Sequence, residues 1–168
     1  VDVMGGDFAP EEPVKGAVSA INENKKIQVV LYGDEEKIKK ELSGYQYDAS
    51  QVEIVHCTQK IETAEPPVMA IRSKKDSSIV RAMMDVKSGK CDAYVSAGST
   101  GANLVGGQVL VGRIKGVERP PLAPLMPTAA GVSLLVDCGA NVDARPSHLV
   151  QFAKMGSIYM EHVMGVKN

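Results

Sequence analysis

Tryptophan is absent from the 168 residues, and five Tyr and two Phe supply all the aromatic rings. So few rings leave little with which to stack the bases of a single-stranded nucleic acid. No surplus of positive charge compensates: 19 Lys and Arg stand against 20 Asp and Glu, a formal charge of −1, and a general nucleic-acid binder is disfavoured on both counts. Cysteine is scarce as well. Cys57, Cys91 and Cys138 are far apart, odd in number and without a C-x-x-C pairing, so neither a disulfide framework nor a zinc site is indicated and a reducing cytoplasm fits best. The longest apolar stretch, residues 101–112, stops at Arg113, short of the ~18 residues a spanning helix needs. No signal-peptide pattern is visible.

What the chain does have is an apolar fraction of 44%, enough for the core of one ordinary domain built on Val, Ile, Leu, Met and Ala. Val1-Asp2-Val3-Met4 reads as the inside of a buried strand with no initiator Met before it, so the expectation is a single α/β segment, residues 1–168, from a longer protein. The first apolar run ends at Gly5-Gly6-Asp7. Behind Ala9-Pro10 and the pair Glu11-Glu12, a helical pattern places Val14, Ala17, Val18 and Ile21 on one face. Residues 27–32 form a β-branched strand closed by Gly33, and Asp34 is the N-cap of a charged helix from Glu35 to about Leu42. Residues 52–57 make a third strand, and residues 58–67 an exposed loop broken by a Pro pair. Ser77 or Ser78 caps a helix carrying Ile79, Val80, Met83 and Val86, which Gly89 stops. Ala93-Tyr94-Val95-Ser96 is the next strand, followed by a glycine loop and a helix from Ala102 to about Val111. A proline-rich connection, 119–127, leads to a final strand, 132–137, and Ser147 caps a long helix to Met164.

Strands alternating with helices at this spacing predict a three-layer α/β/α sandwich with a mainly parallel sheet. Ligands in such sheets lie at the carboxyl ends of strands, which directs attention to the loops after Met4, Tyr32, Ser96 and Asp137. At Gly98-Ser99-Thr100-Gly101 the glycines permit close backbone approach, two hydroxyls add donors, and the following helix offers unpaired N–H groups to an anion. The same residues also suit a turn and cap with no ligand at all. The Lys of a phosphate loop, the G-x-G-x-x-G spacing and the G-x-S-x-G elbow are each missing, so Ser99 has no local support as a covalent nucleophile. Arg72, Lys74 and Lys75 precede a helix start as either an anion-attracting patch or a solvated charge run. Arg113, Lys115 and Arg119 form a second, looser cationic group. Asp7, Asp137 and Asn141 are expected at the same edge as the Gly98 loop, to orient a substrate or to make Asx turns. His56, His148 and His162 are isolated, and neither metal nor cofactor is expected.

Five motifs carry a resemblance: Met4-Gly5-Gly6-Asp7 with Ala9-Pro10; Arg72-x-Lys74-Lys75-Asp76-Ser77-Ser78; Ser96-Ala97-Gly98-Ser99-Thr100-Gly101-Ala102; Gly112-Arg113-Ile114-Lys115-Gly116; and Asp137-x-Gly139-Ala140-Asn141. In this order, from residue 1 to 168, they closely resemble the bacterial phosphate acyltransferases of the PlsX family. The resemblance implies a fold like that of the isopropylmalate dehydrogenases and phosphate acetyltransferases, and a homodimer. It also implies conversion of acyl-acyl-carrier-protein and inorganic phosphate into acyl phosphate for phospholipid synthesis. The full-length protein is then expected in the cytoplasm, peripherally at the membrane. On this basis Ser99, Thr100 and Asn141 are the expected catalytic group. Asp7, Gly98, Gly101, Arg72, Lys74, Lys75, Arg113 and Asp137 are the expected substrate contacts, with Arg72, Lys74 and Lys75 facing an acidic carrier protein. The chain departs from the family in having Ser99 where Asn is usual, and in lacking a later D-G-F-x-G-N motif, as the front half of the enzyme would. Two other readings stay open, a phosphate acetyltransferase-like enzyme using a CoA thioester and a non-catalytic phosphate- or nucleotide-binding module.

Overall fold

The computed structural model describes residues 1–141 and 143–166, and its contacts divide the chain into two units, Val1–Gly112 and Arg113–Asn168. The first is mixed α/β. Strands β1 (Val29–Gly33) and β2 (Val52–His56) pair in parallel, with Val29 opposite Val52 and Gly33 opposite His56. Helix α1 (Glu11–Glu23) buries Val14, Ala17, Val18 and Ile21, the face its sequence spacing predicts. Helix α2 (Glu35–Leu42) begins where Asp34 accepts the N–H groups of Glu36 and Lys37 at 3.1 and 3.2 Å, and it buries Ile38 and Leu42. These helices share one core with Val3, Val29 and Leu31. Because side chains alternate along a strand, Val30 and Tyr32 face the other way, toward Cys57 and Ala82.

Helices α3 (Pro67–Ser73), α4 (Ser78–Lys87) and α5 (Thr100–Gly106) build a second core around Ile61, Ile71, Ile79, Met83 and Ala102. The sequence pattern missed α3, because a Pro pair reads as a break. Pro67 instead occupies the first turn, where the N–H it lacks has no intrahelical partner anyway. Ser77 caps α4 by accepting the Val80 N–H. Helix α5 is shorter than the expected element and runs on as a π-helical turn, Gly107–Val111, that ends at Gly112 with φ +105°.

The expected strands at 1–4 and 93–96 are corrected to irregular segments. Residue 3 donates to the Tyr32 carbonyl, Tyr32 donates to the Val1 carbonyl, and Asp2 donates to the Val95 carbonyl at 2.9 Å. The segments thus lie beside β1 in the order 94–96, 1–3, β1, β2, but the glycine loops at Gly5 and Gly98 turn away before a regular ladder builds.

The second unit contains the antiparallel hairpin β3 (Leu125–Thr128) and β4 (Gly131–Leu134), with Leu125 opposite Leu134 and Thr128 opposite Gly131. This corrects the reading of residues 119–127 as connection alone and of 132–137 as one strand of the parallel sheet. Gly131, at φ +128°, lets the chain fold back so that both arms pair with each other. Helix α6 (Pro146–His162) starts at Pro146 with Arg145 in the capping position, two residues before the expected cap Ser147, and ends short of Met164. It buries His148, Phe152 and Gly156, and a Cβ at Gly156 would lie 3.1 Å from Val136. No helix among the described residues is long and apolar enough to cross a membrane.

Candidate functional site

The loop after residue 4 and the loop after Ser96 meet backbone to backbone. A Cβ added to Gly5 would lie 2.6 Å from the Gly98 nitrogen and 2.5 Å from Asp2 Oδ2, so a side chain there has no room. Beneath the junction lies Asp2, 1% exposed, whose Oδ1 accepts the Met4 N–H at 3.1 Å and whose Oδ2 accepts the Ser96 hydroxyl at 2.7 Å. Ser96 Oγ in turn accepts the Gly98 N–H at 3.0 Å. Above it opens a polar cleft of about 270 Å³, lined by Gly5, Gly6, Asp7, Ala97 and Gly98 on one side and residues 60–63 on the other. Asp7 and Gly98, two of the predicted contacts, are thereby brought together.

The wall at residues 60–63 is held by the Arg72-x-Lys74-Lys75-Asp76-Ser77-Ser78 motif. Lys74 Nζ donates to the Lys60 carbonyl at 2.7 Å and pairs with Glu65 at 2.6 Å, which holds the Glu65 carboxyl below its ordinary range. Asp76 Oδ2 accepts both the Thr58 N–H and the Thr58 hydroxyl, and Arg81 donates to its other oxygen at 2.8 Å. These bonds also hold the Asp76 carboxyl below its ordinary range, the Thr58 hydroxyl contributing most. Lys75 turns to the Ile71 carbonyl at the end of α3, and Arg72 is exposed. The run is therefore largely a clamp on the cleft wall. Lys60, which pairs with Glu62 at 3.2 Å, is the cation of the cleft, and the sequence reading passed over it because no motif surrounds it.

Ser99 is 3% exposed and its Oγ accepts the Ala102 N–H at 3.3 Å, so this hydroxyl is the N-cap of α5. Thr100 is exposed at the first helical position. Gly101 is explained by packing, since a Cβ there would meet Pro67 of α3 at 2.6 Å.

The remaining predicted residues belong to the second unit. Asp137 adopts φ +66°, and Asn141 Nδ2 donates to its Oδ1 at 2.8 Å, while Arg119 donates to Asn141 Oδ1 at 3.4 Å. Asp137 lies beyond the end of β4, in a turn rather than at a strand end as predicted. Arg113 donates to the Glu118 carbonyl. Nearby, the buried His148 accepts the Arg145 N–H on Nδ1 and sits 3.0 Å from Glu118 through Nε2. Among the described residues no cluster of three or more His, Cys, Asp or Glu forms a metal-binding group.

Two parallel strands with helices, and beside them a polar cleft lined by two glycine loops, define an α/β protein whose cleft has the size and polarity to suit a small polar ligand. The whole chain, residues 1–168, matches the family described as fatty acid synthesis protein, and it belongs to that family. It is 51% identical over 168 residues to a phosphate acyltransferase of Clostridium tetani and 50% identical over 169 residues to one of Clostridioides difficile. A phosphate acyltransferase of Clostridium botulinum is 52% identical over 166 residues. All of the chain is covered in the first two matches and 99% in the third. The chain spans about half the length of these relatives, 50%, 49% and 50% respectively.

Proposed function

We propose that the full-length protein is a phosphate acyltransferase that converts acyl-acyl-carrier-protein and inorganic phosphate into acyl phosphate for phospholipid synthesis. The observation that carries this reading is the polar cleft between the two glycine loops and Lys60, in a chain about half identical to phosphate acyltransferases. Phosphate is already an anion near neutral pH, so its attack on a thioester needs positioning and charge stabilisation more than a strong base. Lys60 offers a positive charge to it, Gly5, Gly6 and Ala97 allow backbone approach, and Asp7 or Glu62 accepts the remaining P–OH proton as a hydrogen bond. Thr100 and the first-turn amides of α5 are the proposed donors to the tetrahedral oxyanion, with Ser99 holding that turn in place. The leaving thiolate is that of the carrier.

In this reading the second half of the full-length protein completes a three-layer α/β/α sandwich and the other wall of the cleft, and Asp137, Asn141 and Arg113 are further proposed site residues. Arg72 and Lys75 face the acidic carrier, Lys74 being already paired. The enzyme works as a homodimer in the cytoplasm, peripherally at the membrane.

The test is acyl phosphate formation by the full-length protein, trapped as the hydroxamate. Rapid phosphate-dependent turnover of acyl-carrier substrate is expected. Preference for the CoA thioester would make it a phosphate acetyltransferase-like enzyme, and phosphate binding without turnover would make it a binding module.

A further inference from the structure

We propose that Asp2, buried behind the cleft, is a positioning residue that sets the spacing of the two glycine loops for phosphate; this rests on the acyl phosphate reading above. Three hydrogen bonds run one way. The Gly98 N–H donates to Ser96 Oγ, the Ser96 hydroxyl donates to Asp2 Oδ2, and the Met4 N–H donates to Asp2 Oδ1. Ser96 Oγ must accept from Gly98, so its single hydrogen is left for position 2. That position faces two donors and must supply two acceptors. An amide supplies one acceptor and one NH₂ group, so asparagine keeps the Met4 bond only by turning its NH₂ to Ser96, whose hydroxyl hydrogen then loses its acceptor at position 2. A buried donor left without an acceptor costs its desolvation and forces the loop to move.

The backbone does not fix this spacing by itself. Between the segments 1–4 and 94–96 the one inter-segment backbone bond is Asp2 N–H to the Val95 carbonyl. The side-chain relay ties down Met4, next to Gly5, and Gly98, and the two glycines line the cleft. Glycine at both positions brings the carboxylate against the loops, since a Cβ on Gly98 would lie 3.2 Å from Asp2 Oδ2. Asp2 itself is 1% exposed and is not among the residues that line the cleft. It acts through the loops alone.

The experiment uses the full-length protein as wild type, Asp2→Asn, Ser96→Ala and the double variant. Each single variant is expected to raise the KM for phosphate about tenfold, the loss of one charge-assisted hydrogen bond, while the KM for acyl carrier moves less than about twofold. The double variant should be no worse than the worse single one, because both break the same relay. An unchanged phosphate KM in folded Asp2→Asn, an equal rise in both KM values, or losses that multiply in the double variant would overturn the assignment. If Asp2→Asn does not fold, Ser96→Ala carries the same readout. Calorimetric titration of inorganic phosphate into the same proteins separates the two proposals: failure of the wild type to turn over defeats the enzymatic reading, whereas equal phosphate affinity in wild type and Ser96→Ala defeats the role of Asp2.

Discussion

The two units treat similar apolar residues in opposite ways. In the first, Val14, Ile21, Leu31 and Ile38 are removed from solvent between helices and sheet, whereas among the described residues of the second, Phe152 is the one buried large apolar side chain. Leu125, Met126, Val132, Leu149, Val150 and Ile158 all stand exposed there. The difference teaches that hydrophobicity along a chain foretells burial where the same unit supplies both walls of the core. In α1 the apolar face meets β1 and α2; in α6 the apolar residues at 149, 150 and 158 spread over the surface, and Phe152 is the one large apolar side chain buried. Surfaces of that kind are the ones other protein covers.

Core truncation is the strongest way to break this contrast. Leu31→Ala or Ile38→Ala, both at 0% exposure, should lower the stability of the chain by about 2–5 kcal/mol in urea denaturation. Leu149→Ala, at a residue 56% exposed, should cost less than about 0.5 kcal/mol. Similar costs would mean that the second unit has a core as well.

Glycine substitution sharpens the comparison at a smaller scale. Gly5→Ala forces a methyl against Asp2 and Gly98 and should cost about 1–3 kcal/mol by overpacking, together with the thermal stabilisation that phosphate confers. Gly116→Ala, at φ +90° with open space around it, should cost about 1–2 kcal/mol through the backbone alone. Retention of the phosphate effect in Gly5→Ala would separate the cleft from the junction beneath it.

The smallest effect concerns the cleft wall and pH. Hydrogen bonds from Thr58 and Arg81 hold Asp76 below its ordinary 3.8, so its contribution is present above about pH 4 and disappears as pH falls through the lowered value. The carboxylate is about one-third exposed, so the gain stays below about 1 kcal/mol. Amide-exchange protection over residues 58–66, taken relative to the intrinsic exchange rate at each pH, should fall on acidification in the wild type, and should already be low at neutral pH in Asp76→Asn. Equal protection in the two proteins at pH 7 would remove Asp76 from the clamp.

Signals that act within one turn of chain were legible. The spacing of Val14, Ala17, Val18 and Ile21 identified α1, and Asp34 marked the start of α2. Prolines misled twice: Pro67 opens α3, and Pro127 sits opposite Val132 inside β3, where a ring that removes an N–H is tolerated because each strand of a two-stranded hairpin is an edge. The glycine loops were found as motifs, yet Gly101 answers to Pro67 and Ser99 to the α5 amides, as local capping and packing rules allow. Lys74 was read as part of an anion-attracting patch or a solvated run, and Asp76 was given no role of its own, because their partners, Glu65 and Thr58, lie on a loop whose path the sequence does not reveal. Asp2, Ser96 and Lys60 escaped notice for the same reason, since each matters through residues remote in the chain.

The bond between Ser96 and Asp2 joins positions 94 residues apart, and it forms the base of the cleft. Closing so long a loop carries a large entropic cost before any contact rewards it, which makes such pairings slow. During synthesis the amino-terminal segment therefore waits, with β1 as its early neighbour, until the chain past Gly98 has emerged. The pocket therefore cannot be complete until both ends of that 94-residue span are present, so no local stretch of sequence specifies it alone.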